Sequence, residues 1–374
     1  MEFNKSLYNL YYEWWKNIDK FIFSLIILMF FTGLFFSLVS TSLLVSDKLN
    51  TNDYAFFFKH LSFVCLGIII IFILSSINEE KLLKISPLFF LLSLFSLFLV
   101  PIIGVEVNSA KRWIDLYLLP RFQPIELVKP FLIILISLIL SSEKYNNAYL
   151  KYLISFLITL IIALLLAAQP DIGQTLLVFF SWSVLIFISG INIIFLITSC
   201  LILSASLYFL IRFIPRFEYI KNRIISFFNS ETGSHNAQSE KAIDSITSGG
   251  YFGKGIGEGT LKNSVPEAHT DYIISIISEE FGVIAIILIL LLFLVFIYSV
   301  FKKVYLQNEE RTKLILVGCA SLILVQAMIH IGVNIRLFPT TGMTLPFISY
   351  GGSSIISISI LSGIILNLTK RKIQ

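Results

Sequence analysis

The chain has 374 residues, of which 56% are hydrophobic and 14% charged, with a formal net charge of +5. Soluble domains carry about 25% charged residues, so this composition excludes a soluble globular protein. The basic residues are scattered rather than clustered, which argues against a nucleic-acid-binding protein. Apolar runs of about 20 residues recur, each long enough to cross a hydrocarbon core of about 30 Å as a helix. We therefore predict an all-α polytopic membrane protein forming one transmembrane domain over residues 1–374.

The apolar runs predict ten transmembrane helices. Their approximate ranges are 21–44, 55–77, 86–104, 124–142, 149–169, 172–190, 193–214, 273–301, 313–336 and 345–368. Ten crossings put both termini on one side, and the short loops and tails on that side hold most of the Lys and Arg residues. The positive-inside rule then places both termini in the cytoplasm and a large loop, about 215–270, outside it between helices 7 and 8.

Two features that resemble cofactor sites lack the necessary spacing. The glycine-rich SGGYFGKGIGEGT, at 248–260, does not match a phosphate-binding loop. Glu267, His269 and Asp271 offer one nitrogen and no thiol, so no zinc site is expected. The three cysteines lie inside apolar runs, where neither a disulfide nor a metal motif is expected: Cys65, Cys200 and Cys319.

The first polar group at a membrane edge is QPIELVKP, at 123–130. Ionisable residues at membrane depth are functional candidates. Glu126 and Lys129 are three residues apart and share a helix face, so they can form an ion pair. Just upstream, Lys111 and Arg112 place basic charge on the outer side, which suits a pyrophosphate or lipid headgroup. The alternative is a structural ion pair with an arginine that reaches toward the membrane surface.

The second polar group is AAQPDIGQT, at 167–175. Pro170 breaks the helix between the fifth and sixth spans, and Asp171 can cap the helix that follows. Gln169 and Asp171 can also line the same outer cavity. The pattern leaves both interpretations open.

The third polar group is HTDYIISIISEEFG, at 269–282. A helix starting near Thr270 would align a set of polar and small residues on one face: Asp271, Ser275, Ser278, Glu279 and Gly282. Residues 281–301 alone can cross the bilayer. Asp271 would therefore stand about 15 Å outward, at the outer mouth, facing protein or water. The alternative is that Asp271 or Thr270 is an ordinary helix N-cap.

The segment before the tenth span, PTTGMTLPFISYGGSS at 339–354, contains two prolines and several glycines. Irregular backbone at membrane depth survives only when it is buried in protein or lines a cavity. We predict that this segment forms one wall of a substrate groove, with Ser349, Gly351 and Gly352 allowing close approach. Small-residue helix packing is the alternative for the glycines.

Six segments, in one order along the chain, together resemble the SEDS family (shape, elongation, division and sporulation). They are KRWIDL (111–116), RFQPIELVK (121–129), AAQPDIGQT (167–175), SGGYFGKGIGEG (248–259), HTDYIISIISEEFG (269–282) and PTTGMTLPFISYGGSS (339–354). Within the family, the chain looks more like the cell-division members than the elongation members.

The resemblance implies a ten-span peptidoglycan glycosyltransferase of the inner (cytoplasmic) membrane. It would act at the division septum and polymerise lipid II with its active site facing the periplasm. It also implies that Asp271 is catalytically essential. The implied partners are a class B penicillin-binding transpeptidase and other membrane proteins of the division complex.

On this reading Asp271 is the general base of an inverting glycosyl transfer, and His269 and Thr270 orient it. Asp271 could instead hold a divalent cation, Mg²⁺ or Mn²⁺, shared with substrate phosphate; no organic cofactor is expected. The predicted substrate-binding residues are Lys111, Arg112, Glu126, Lys129, Gln169, Asp171, His269, Thr270, Ser349 and Gly351. Rival functions are a lipid II flippase and a non-catalytic scaffold that activates the transpeptidase, and an elongation role is an alternative to division.

Overall fold

The computed structural model describes residues 11–41, 55–107, 110–115, 120–144, 147–214, 217–228, 234–259 and 270–370. The helices are α1 (Lys20–Thr41), α2 (Ala55–Ser76), α3 (Glu79–Ile103), α4 (Pro124–Leu140), α5 (Ala148–Ala168), α6 (Ile172–Ile188), α7 (Ile193–Phe213), α8 (Glu218–Phe228), α9 (Ser234–Gly249), α10 (Ile273–Leu306), α11 (Glu310–Asn334) and α12 (Gly352–Leu368). Two short strands, β1 (Val105–Val107) and β2 (Ala110–Trp113), pair antiparallel between α3 and α4.

Seven of the described helices are long and apolar enough to cross a membrane: α1, α2, α3, α5, α7, α10 and α11. Two shorter apolar helices, α6 and α12, have 17 residues each, and α4 is equally short. At 1.5 Å per residue, 17 residues extend about 26 Å. The prediction of a polytopic helical membrane protein is confirmed, and a helix overlaps each of the ten predicted ranges.

Some helices begin or end at residues other than those predicted, because polar side chains set where the helix starts or stops. α3 begins at Glu79 rather than near 86, because the side chain of Asn78 accepts a hydrogen bond from the Glu80 amide and caps the helix. The predicted extracytoplasmic loop, 215–270, contains two helices that the hydropathy pattern did not indicate. α8 and α9 are amphipathic and short, so they give no membrane-span signal.

Helix α12 lies at the centre of the molecule and packs against α2, α4 and α11. Its contact with α2 is close because glycines remove the side chains between the two helices. A Cβ added at Gly67 would lie 2.3 Å from Ser359 Oγ, and one at Gly363 would lie 2.8 Å from Leu74 Cβ. Small residues of this kind allow membrane helices to pack at short range.

The predicted tenth span starts too early, because residues 345–351 are not helical. Pro346 has no backbone N–H, and Phe347 adopts a left-handed conformation with a φ of 65°. The Phe347 ring packs edge-on against Phe30 and Phe296, with centroids 5.2 and 5.8 Å away. This packing holds an unfavourable backbone conformation in place, and the chain becomes helical only at Gly352.

Helix α10 contains a break at Gly282, where φ is 76° and ψ is 178°. The glycine-rich loop 249–259 packs into this break. The amide of Lys254 donates to Glu279 O over 2.8 Å, and the amide of Val283 donates to Gly250 O over 3.0 Å. The side chain of Lys254 also pairs with the buried Glu279 carboxylate at 3.0 Å. The loop therefore supplies partners for backbone groups that the break leaves outside the helix.

A Gly282→Ala substitution should destabilise this junction. The backbone conformation is one that only glycine adopts readily, and the new Cβ would lie 2.1 Å from Tyr251 O. We expect a lower thermal unfolding temperature in detergent and faster proteolysis within 249–259. Gly257→Ala is the matched control, since Gly257 also has positive φ (82°) but no atom lies within 4 Å of its added Cβ. Equal losses of thermal stability in the two variants would show that backbone strain, rather than disturbed packing of the loop 249–259, causes the destabilisation.

Candidate active site

Asp271 lies on the turn just before α10, and the residues from Tyr272 to Glu280 that follow it are all buried. The half-helix 273–281 therefore faces protein rather than lipid. Tyr272, not Asp271, occupies the N-cap position, so the interpretation of Asp271 as the helix cap is wrong. Asp271 itself is only partly buried.

The segment 339–351 lies directly beside Asp271. Gly342 has a φ of +71°, and a Cβ added there would be 3.5 Å from Asp271 Oδ2. On its other side the segment touches the start of α6, because a Cβ at Gly173 would be 2.9 Å from Thr341 Cβ. The segment thus contacts both Asp271 and the N-terminal turn of α6. The predicted irregular backbone is present, and its role as a groove wall remains a prediction.

A second polar cluster surrounds the N-terminus of α6. Asp171 Oδ1 accepts a hydrogen bond from the Gln174 amide over 3.2 Å and caps the helix. Its other oxygen lies 3.7 Å from Arg112 Nε and 3.1 Å from Gln123 Nε2. Arg112, on β2, also donates to the carbonyls of Gln169 and Pro170. Asp171 is therefore both a helix cap and part of a charged cluster, and its predicted place in the lining of an outer cavity remains a prediction.

The third cluster lies deeper, between α4, α6 and α11. Lys129 Nζ is 2.9 Å from Glu126 Oε1 and 3.2 Å from Gln326 Oε1, and the lysine side chain is fully buried. The same Glu126 oxygen accepts from Gln174 Nε2 over 2.9 Å. Gln326 Nε2 in turn donates to Thr344 O over 3.1 Å, which joins this cluster to the 339–351 segment. The predicted Glu126–Lys129 pair is present.

Two buried acceptor atoms in this cluster stand out. Glu126 Oε2 and Gln174 Oε1 have no hydrogen-bond partner among the residues that the structure describes. Buried polar atoms are normally paired, and such exceptions point to a bound donor or to strain. Hydroxyl groups of a sugar are donors of the required kind.

The remaining predicted site residues have varied positions. Lys111 lies on β2 and is partly buried, opposite Glu106 of β1. Gln169 is buried and donates to Leu97 O over 3.4 Å, which anchors the α5–α6 turn to α3. His269 lies outside the described residues. Gly351 lies close to Thr344 of the same segment, because an added Cβ would be 2.9 Å from Thr344 Cγ2, and its predicted contact with substrate remains a prediction.

Thr270 and Ser349 form one contact. Ser349 Oγ donates to Thr270 O over 2.7 Å and accepts from the amide of Leu345 over 2.9 Å. The hydroxyl of Ser349 is therefore used to hold the turn before Asp271, and its predicted contact with substrate remains a prediction.

Sequence reasoning missed four amide side chains that link the clusters: Gln123, Gln174, Gln326 and Asn334. Gln123 and Gln174 lie inside motifs in which neighbouring residues, rather than these two glutamines, were predicted to form the site. Gln326 and Asn334 are separated by eight residues on the apolar helix α11, close to two helical turns. The sequence signal that could have identified them is a polar residue within an otherwise apolar span.

A metal held by protein alone would need several ligands, and the described residues include no group of three or more His, Cys, Asp or Glu side chains placed to bind one ion. Mg²⁺ commonly binds through one or two carboxylates together with substrate phosphates. The Asp271 carboxylate fits that shared arrangement.

Comparison with known proteins agrees with these segments. The family model of cell cycle proteins that covers FtsW, RodA and SpoVE matches residues 19–374. A protein of Enterococcus hirae is 33% identical over 381 residues, covering 96% of this chain and 94% of its own length. One of Haemophilus influenzae is 30% identical, covering 98% and 96%. Both are named "Probable peptidoglycan glycosyltransferase FtsW".

Solved structures show the same fold. A chain from the study "Structural coordination of polymerization and crosslinking by a peptidoglycan synthase complex" superposes with a TM-score of 0.77 at 24% identity, covering 94% of this chain and 97% of that one. The rod shape determining protein RodA of Thermus thermophilus gives a TM-score of 0.69 at 24% identity, covering 94% and 96%. With the family model matching nearly the whole length, the chain belongs to the FtsW/RodA/SpoVE family of cell cycle proteins.

Proposed function

We propose that this protein is a peptidoglycan glycosyltransferase that polymerises lipid II. The observation that carries the proposal is the position of Asp271: its carboxylate lies beside Gly342, on a turn held by α11 and by the 339–351 segment. The cluster of Glu126 and Lys129 contacts the same segment through Gln326, and Arg112 lies beside Asp171 at the start of α6. The names of the relatives agree with this chemistry.

In the proposed reaction, the 4-hydroxyl oxygen of one sugar attacks the anomeric carbon of another. The new glycosidic bond forms as the bond to pyrophosphate breaks, which inverts the α linkage to β. Asp271 takes the proton from the attacking hydroxyl. General-base assistance of this kind contributes about 10²–10⁴-fold in rate.

The leaving undecaprenyl pyrophosphate gains negative charge, which a cation would stabilise. Arg112 is the accessible candidate, with an 18% exposed side chain, whereas Lys129 is buried and paired with Glu126. A divalent cation bound by Asp271 and the phosphates would supply further positive charge there.

The polyprenyl chain requires an apolar surface that opens to the membrane. A groove of about 460 Å³ lies between α2, α3 and α4 and extends to Phe122, next to Gln123. Its lining includes Ile73, Leu74, Phe89, Leu92, Phe122 and Phe131. Because this lining is apolar, the groove suits the lipid tail, whereas the polar clusters suit the headgroup. Asp271 does not line the groove.

We further propose ten crossings, cytoplasmic termini and an extracytoplasmic site, following the distribution of Lys and Arg. The protein would then work in the inner membrane at the division septum, with the site facing the periplasm. A class B penicillin-binding transpeptidase is the proposed partner, in line with the synthase complex that shares its fold.

The test is purified protein, alone and with its transpeptidase, incubated with labelled lipid II in detergent. Long glycan strands on gels would support the proposal, and we expect more of them with the partner present. Absence of strands under both conditions would refute it.

Sealed vesicles separate the rival functions. Lipid II that crosses the bilayer without being polymerised would identify a flippase. Stimulated crosslinking by the transpeptidase, without polymerisation by this chain, would identify a scaffold.

A further inference from the structure

The first turn of the half-helix that follows Asp271 is bound by a residue from another helix. Tyr272 is at the N-cap and provides no side-chain capping bond in the structure. The first amides of a helix need such partners. The amide of Ser275 donates to Tyr272 O over 3.0 Å and also to Oδ1 of Asn334, the last residue of α11, over 3.3 Å. The same Oδ1 accepts from Ser275 Oγ over 2.9 Å.

The nitrogen of the same side chain holds Asp271 itself. Asn334 Nδ2 donates to Asp271 O over 3.0 Å and to His330 O over 2.9 Å. A side-chain amide can donate two hydrogen bonds and accept two, so every bond of Asn334 is used. Two donors surround its oxygen and two carbonyls surround its nitrogen, which sets the orientation of the amide. The residue is also completely buried.

The preceding carbonyl is held from a different direction. Ser349 Oγ, on the 339–351 segment, donates to Thr270 O over 2.7 Å. Two consecutive carbonyls, of Thr270 and Asp271, are therefore held by side chains from two separate elements. Holding both restricts rotation of the backbone that carries the Asp271 carboxylate.

We propose that Asn334 is a positioning residue for Asp271. The proposal rests on the proposed function and deepens it. A catalytic group must be held within about 0.5 Å of its productive position, and a 1 Å displacement can reduce the rate by about 10²-fold. Asn334 contacts the backbone of Asp271 and acts through it.

The test is Asn334→Asp, which keeps the shape of the side chain but places an oxygen against the carbonyls of Asp271 and His330. In the complex with the transpeptidase, we expect kcat for lipid II polymerisation to fall by about 10–10²-fold. KM should change by less than about threefold, because ground-state contacts with substrate remain. Hydrogen exchange should rise over 270–278 and stay unchanged over 285–300.

Asn367→Asp is the matched control. Asn367 is buried on α12, and its Nδ2 donates to two carbonyls, Leu74 O and Ile77 O, over 2.6 and 2.8 Å. It stands about 24 Å along the helix from Gly351, at 1.5 Å per residue. This variant should lose thermal stability but keep its kcat. Should Asn334→Asp fail to fold, Asn334→Ser provides the same comparison.

The possible outcomes test the role of Asn334 and the proposed function separately. Wild-type kcat and unchanged exchange over 270–278 in a folded Asn334 variant would overturn the inference while the proposed function stands. Equal loss of kcat in the Asn334 and Asn367 variants would also overturn it, since a general loss of stability would then explain both. If the wild type forms no strands, the proposed function fails, and the exchange over 270–278 still decides whether Asn334 holds this turn.

Discussion

Replacing Asp271 with asparagine should abolish polymerisation of lipid II while leaving the fold intact. The amide has nearly the same size, and Asn334 binds the main-chain oxygen of residue 271, which the substitution does not change. Loss of a general base reduces the rate by about 10²–10⁴-fold. We expect no strands on gels within the time in which the wild type consumes its substrate, with normal thermal unfolding and normal copurification with the transpeptidase.

The matched control for this prediction is Asp244→Asn. Asp244 is exposed on α9, so the same chemical change there should leave strand length and rate unaltered. Strands of normal length from the Asp271 variant would remove this carboxylate from the chemistry. Loss of activity together with loss of partner binding would instead indicate a structural or scaffolding role.

The second large effect concerns the buried pair of Glu126 and Lys129. Lys129→Met would leave the Glu126 carboxylate buried without its cation, and removing one partner of such a pair costs about 3–5 kcal/mol. We expect a large fall in the free energy of unfolding. The double variant Glu126→Gln with Lys129→Met should recover most of it, because no charge is then left unpaired. Denaturant titration in detergent measures the free energy of unfolding of the single and the double variant.

Activity of the double variant separates the two interpretations of the pair. If Glu126 and Lys129 bind substrate, the refolded double variant should still polymerise lipid II at least about tenfold more slowly, since about 1.4 kcal/mol of lost binding corresponds to tenfold. Wild-type activity would make the pair purely structural. Arg311→Met is the control for loss of a cation, because the Arg311–Glu309 pair is partly exposed and should contribute at most about 1 kcal/mol.

Local features of the site could be predicted because their partners are close in sequence. Glu126 and Lys129 are three residues apart on one helix, and Asp171 caps the helix that begins at the next residue. Asp271 was predicted to face protein or water because the apolar residues that follow it are by themselves long enough to cross a bilayer. Each of these predictions needs only helical geometry and the thickness of a bilayer.

The polar contacts between distant segments could not be predicted in the same way. Asn334 reaches Asp271 across 63 residues, and Lys129 reaches Gln326 across 197. Hydropathy indicates that a helix is buried in a membrane but not which neighbour faces a particular side chain. The strands β1 and β2 were missed because they have only three and four residues and lie between two long apolar runs.

By itself, the amino-acid sequence determined the membrane class and the approximate positions of the spans. These follow from local chemistry, because an apolar helix satisfies its own backbone whatever its neighbours are. Only the tertiary structure decided that the 339–351 segment contacts both Asp271 and the start of α6, and that Asn334 of α11 binds the first turn of α10. Those arrangements depend on how helices pack, and packing joins residues that no local pattern relates.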